Sequence, residues 1–61
     1  MKYVTALKDY NHKITGVKVI TKGTFYLVHR ETKDAYYILN DNDKKMPLEK
    51  ELFLEGMHDL K

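Results

Sequence analysis

The chain has 61 residues, 43% of them hydrophobic, with a formal net charge of +2 and no cysteine. A chain this short forms one domain with a small core, close to the lower size limit for folding without disulfides or metal. It contains neither cysteine nor serine, which excludes a disulfide framework, a thiolate zinc site and a Cys or Ser nucleophile. Lacking an apolar run long enough for a signal peptide or a membrane span, it is expected to be soluble and cytoplasmic, without membrane contact.

Residues 2–8, KYVTALK, alternate Tyr3, Thr5 and Leu7 with Val4 and Ala6, the period-two pattern of a first strand. Residues 9–13, DYNHK, have loop composition, and Gly16 is free to take a positive φ. Val17, Val19 and Thr21 alternate with Lys18, Ile20 and Lys22 as a short strand or extended arm, and Lys22-Gly23 reads as the break that follows it.

Residues 24–40, TFYLVHRETKDAYYILN, organise the rest. Two runs rich in aromatic and β-branched residues flank the polar stretch Glu31-Thr32-Lys33-Asp34, which predicts a β-hairpin. Pairing the runs symmetrically about that stretch sets Val28 opposite Tyr37 and Tyr26 opposite Leu39. One face then holds Tyr26, Val28, Tyr37 and Leu39, and the other Phe25, Leu27 and His29 with Tyr36, Ile38 and Asn40. Both faces are largely apolar, so both need a cover.

Asn40-Asp41-Asn42-Asp43 is an Asx-rich turn, after which Lys44–Met46 adds a brief strand. Pro47 removes an amide donor, so a central strand cannot pass through it. Residues 47–52 read as a helical turn with proline first, and Phe53–Glu55 as a last short strand. A second reading runs one amphipathic helix over 47–60 through Leu48, Leu52, Phe53, Met57 and Leu60, giving a β-meander plus C-terminal helix in an α+β fold. Gly56 weakens that helix by about 1 kcal/mol.

From Ile20 onward, ITKGTFYLVHRE, AYYILNDND and MPLEKELF resemble a pattern found in small proteins of phages and mobile elements. The resemblance implies a mainly β fold, a small five-stranded SH3-like antiparallel barrel with a short helical turn near 47–52. It implies that Gly23 shapes a turn, that Tyr26 and Val28 point inward, that Asn40-Asp41 begins the next turn and that Phe53 closes the core. The chain departs from the pattern at Asp43, where glycine is usual, and at Leu27, where a polar residue is usual.

Catalytic and metal chemistry find little footing. His12, His29 and His58 lack the close spacing of helical zinc motifs. A calcium loop begun at Asp41 would place Lys45, Met46 and Leu52 where an oxygen ligand, glycine and glutamate are needed. The glycines, at 16, 23 and 56, make no phosphate loop. A non-enzymatic protein without cofactor or metal is the expectation.

Charge is unevenly spread. Residues 1–30 carry six basic side chains against Asp9 alone, and residues 31–61 carry eight acids and five lysines, or about +5 and −3. Basic residues interleaved with aromatics are a recipe for holding single strands, which makes Tyr10, Lys13, Lys18 and Lys22 a candidate nucleic-acid site. The stronger hint is the second hairpin face. With Tyr26, Val28, Tyr37 and Leu39 inside, Phe25, Leu27, Tyr36 and Ile38 lie outside, rimmed by His29 and Arg30. A cluster of that size marks an interface. The expected function is therefore a small binding module that docks on a host or phage protein. A homodimer through the same surface, or a cover made by the N-terminal strand or the residues 57–60, are the other ways to satisfy that face.

Overall fold

The computed structural model describes residues 1–60. Seven strands and one 3-10 turn follow in order: β1 (Lys2–Ala6), β2 (Tyr10–Asn11), β3 (Lys18–Ile20), β4 (Phe25–Glu31), β5 (Ala35–Leu39), β6 (Lys45–Glu49), the turn Lys50–Leu52, and β7 (Phe53–Glu55). Five strands pair antiparallel in the order β6-β5-β4-β1-β7, and β2 with β3 forms a separate two-stranded arm. The five-stranded sheet curls into a half-barrel, the SH3-like architecture implied by the resemblance. No helix runs over 47–60.

The concave side holds the core: Val4, Ala6, Val19, Ile20, Tyr26, Tyr36, Ile38, Leu48, Leu52 and Phe53. Phe53 sits at its centre, meeting Tyr26 and Tyr36 edge-on with ring centroids 6.4 and 5.9 Å away, a favoured aromatic geometry. The buried Tyr26 hydroxyl donates to Asp41 Oδ1 at 2.6 Å and accepts from the Thr21 amide at 2.8 Å. Burial pushes this phenol's pKa up, and the Asp41 carboxylate adds to the shift.

The hairpin differs from its symmetric pairing in a way that exchanges faces. Thr32 N–H donates to Ala35 O, so the turn sits on Lys33-Asp34, and Glu31 pairs with Tyr36 and Arg30 with Tyr37. At His29 the register shifts, and Val28 pairs with Ile38. His29 is thus an extra residue in β4, a bulge. Because side chains alternate, a one-residue shift swaps sides: Tyr36 and Ile38 turn into the core at 6% and 0% exposure. Tyr37 and Leu39, expected inside, face outward.

β6 also runs further than expected, through Pro47 to Glu49. Asn40 N–H donates to Lys44 O, and the alternation of an antiparallel ladder then points the backbone groups of Lys45, Pro47 and Glu49 away from β5. As β6 is an edge strand, the amide that proline lacks is one the ladder does not use. Only residues 50–52 remain for the helical turn.

Positive φ occurs at Gly16, Gly23, Asp43 and Gly56. Gly23 has φ 84° before β4, as its turn role requires. Asp43 has φ 59° at the end of the Asn40–Asp43 turn, where Asn40 Oδ1 accepts from the amides of Asn42 and Lys44.

One end of the barrel is closed by charge. Glu31 accepts from Lys2 Nζ and Lys50 Nζ, both at 2.6 Å, and Lys2 also meets Glu55 at 2.8 Å. Both ammonium groups lie over the Tyr36 ring, 5.3 and 5.2 Å from its centroid. These bonds hold the Lys2 pKa above its ordinary value and Glu31 below the usual carboxylate range.

Candidate protein-binding face

The convex side of the sheet is built by the residues that alternate with the core. Tyr3 stands opposite Leu27, and Thr5 lies between Phe25 and Leu54. Extending the Val28↔Ile38 register brings Leu39 beside Leu27. An apolar band thus crosses the sheet from Leu39 through Leu27 to Tyr3, with Phe25 and Leu54 flanking Thr5 and Tyr37 next along β5. Phe25, Leu39 and Leu54 are 42%, 37% and 40% exposed, and Leu27, Tyr3 and Tyr37 are half-buried.

The C-terminal segment covers one corner of this face. After β7 the chain reverses at Gly56, φ 94°. Thr5 Oγ1 then donates to Gly56 O at 2.7 Å and accepts from the His58 amide at 3.0 Å. Thr5 is fully buried as a result, although it points to the convex side. The cover expected from residues 57–60 therefore exists over Thr5, while Met57 itself is 59% exposed.

Of the six residues read from sequence as a protein-binding set, the structure places Phe25 and Leu27 on the convex face and Tyr36 and Ile38 in the core. His29 is the bulged residue and is exposed; Arg30 is exposed with its guanidinium 5.5 Å over the Tyr37 ring. Tyr37 and Leu39, expected inside, join the face, as do Tyr3 and Leu54, which were not singled out. The Tyr3/Thr5/Leu7 alternation carried a signal for Tyr3 alone.

The proposed nucleic-acid set does not form one basic surface. Tyr10 is half-buried against the core. Lys18 pairs with Asp9 at 3.5 Å, and Asp9 also accepts from the Lys22 amide at 2.8 Å, which lowers the Asp9 pKa. Lys13 lines a groove with Lys8, Tyr10, Pro47, Leu48, Glu49, Glu51 and Leu52, whereas Lys22 lines a different hollow with Gly23, Asp59 and Leu60. In that groove the Glu51 carboxylate beside Glu49 raises the Glu49 pKa, opposed by Lys13 and Lys8.

Both sheet edges are interrupted for strand addition. On β6 the outward position at Pro47 has no N–H. On β7, Gly56 N–H bonds Tyr3 O and Leu7 N–H bonds Leu52 O, so Phe53 and Glu55 point their backbone outward. The Phe53 N–H is taken by Lys50 O, and His58 Nε2 lies 2.6 Å from Glu55 O, which accepts from the Nε2–H tautomer.

Among the described residues, no group of three or more His, Asp or Glu side chains converges as metal ligands, and no helix is long and apolar enough to cross a membrane. Comparison with known protein families, characterised proteins and solved structures found no match.

Proposed function

We propose that this protein is a non-enzymatic binding module that docks a protein partner on the convex face of its sheet. The observation that carries the reading is the continuous Leu39–Leu27–Tyr3 band with exposed Phe25 and Leu54 beside it. Large apolar and aromatic side chains gathered on one surface are what interface centres use. The resemblance of residues 20–53 to phage and mobile-element proteins supports a host or phage protein as the partner. The Lys18–Asp9 ion pair and the separation of Lys13 from Lys22 into different hollows weigh against the nucleic-acid alternative.

The test uses the full chain, Leu27→Asp and Leu39→Asp as baits in a lysate of the host cell. A specific partner should be retained by the wild-type chain and lost by both variants, which should keep the wild-type circular dichroism. Amide exchange on the reconstituted complex should then slow at residues 25–28 and 37–39. A partner held equally by all three baits, or protection confined to the Tyr10–Leu48 groove, would sink the reading.

A further inference from the structure

Two features of the convex face narrow the chemistry of what it holds. The first is how charge is sorted. Lys2, Lys18 and Lys50 are ion-paired, and Lys8 and Lys13 share a groove with Glu49 and Glu51. Lys22, Lys33 and Lys44 make no ion pair among the described residues, and two more unpaired cations border the apolar band. Arg30 lies on Tyr37, Lys45 stands opposite Leu39, and neither has a carboxylate partner among the described residues. Positive charge beside this face is therefore unneutralised, which favours a negative partner.

The second feature is the interruption of both edges, at Pro47 and at His58. A partner strand added there would lose part of its ladder, which favours contact running side chain to side chain across the face. A helix presenting apolar residues at i, i+3, i+4 and i+7 meets a surface that way. The centre of the band is leucine, and the Tyr37 ring already carries the Arg30 guanidinium. The leucines offer no ring face on which a nucleobase stacks, and the exposed Phe25 ring stands to one side of them.

We infer that the convex face takes an acidic amphipathic helix of a protein partner, its apolar side on Leu27 and Leu39 and its carboxylates toward Arg30 and Lys45. This rests on the proposed function and specifies its partner.

The experiment titrates isotope-labelled full-length protein with three synthetic helical peptides of about 18 residues, long enough for measurable helicity. They share one leucine stripe and carry glutamate, glutamine or lysine on its flanks; an oligodeoxythymidylate serves as the phosphate arm. The glutamate peptide should shift the amides of Leu27, Tyr37 and Leu39. The glutamine peptide should bind roughly five- to tenfold more weakly, as loss of several exposed ion pairs implies, and the lysine peptide not at all. In the double variant Arg30→Glu/Lys45→Glu the order should reverse.

Equal binding of the glutamate and glutamine peptides would overturn the acidic requirement while leaving the apolar docking face standing. Stronger shifts of the same amides by the oligonucleotide would make the ligand a nucleic acid. Shifts confined to Tyr10 and Leu48 would place the site in the groove, and sedimentation as a dimer with this face protected would make a second copy its occupant. Silence from all three peptides would overturn the inference, and the Leu27-dependent capture would still decide the docking reading separately.

Discussion

The two faces of the β4–β5 hairpin are made of the same kinds of side chain, yet one is sealed and the other half open. The concave face packs Tyr26, Tyr36 and Ile38 around Phe53 and is closed at one end by Glu31 between two lysines. The convex face carries Leu27, Tyr37 and Leu39 and has a cover only at Thr5. Hydrophobicity does not distinguish them. The bulge at His29 does, because it decides which two of the four consecutive residues Tyr36, Tyr37, Ile38 and Leu39 turn inward.

The comparison breaks most directly through one substitution made on each face. Ile38→Asp buries an unpaired carboxylate at a fully enclosed position and should remove about 4 kcal/mol or more. That approaches the total of roughly 3–9 kcal/mol typical of so short a domain, so urea denaturation should find the variant largely unfolded in buffer. Leu27→Asp, on the convex face, should stay within about 1 kcal/mol of wild type. Similar losses for the pair would mean that the convex face is also core.

The charged end of the concave face can be tested through pH. The folded-state pKa of Glu31 is depressed by its bonds to Lys2 and Lys50. Its stabilising contribution is therefore present above the ordinary carboxylate pKa of about 4.3 and lost as pH falls through the lower folded value. Thermal melts should show wild type more stable than Glu31→Gln at pH 7, with the two converging as pH drops below about 4. A constant gap across that range would assign the difference to something other than ionisation.

The smallest effect should come from a residue on neither face. Asp43 holds a left-handed φ and makes no side-chain bond within the turn. Asp43→Gly should remove up to about 1 kcal/mol of backbone strain and raise the melting temperature by no more than about 4–8 °C. Peptide binding at Leu27 should be unchanged.

Much of the fold was legible because local chemistry marked it. Gly23 and the Asx-rich turn occupy the roles that their residue types suggested, and the resemblance implied the barrel and Phe53 in its core. The bulge had no such mark. His29 is an ordinary residue in an unbroken run, and Ala35–Leu39 is apolar on both sides, so no polar position betrayed which side faces the core. Pro47 misled for a related reason: whether it ends a strand depends on that strand being central, which only the sheet order decides. Half of the apolar positions expected outside, Phe25 and Leu27, lie there. Their real neighbours, Tyr37 and Leu39, were hidden by the same parity.

The place of β1 between β4 and β7 has a bearing on synthesis. The hairpins β4–β5 and β5–β6 join neighbours in the chain and can form as soon as their residues emerge. β1 pairs with residues more distant in sequence, and its second partner, Phe53–Glu55, is near the end. Such long-range closure is the slow part of folding. On the ribosome β1 is thus left one-sided until β7 has left the exit tunnel, and the small core stays open for the same interval.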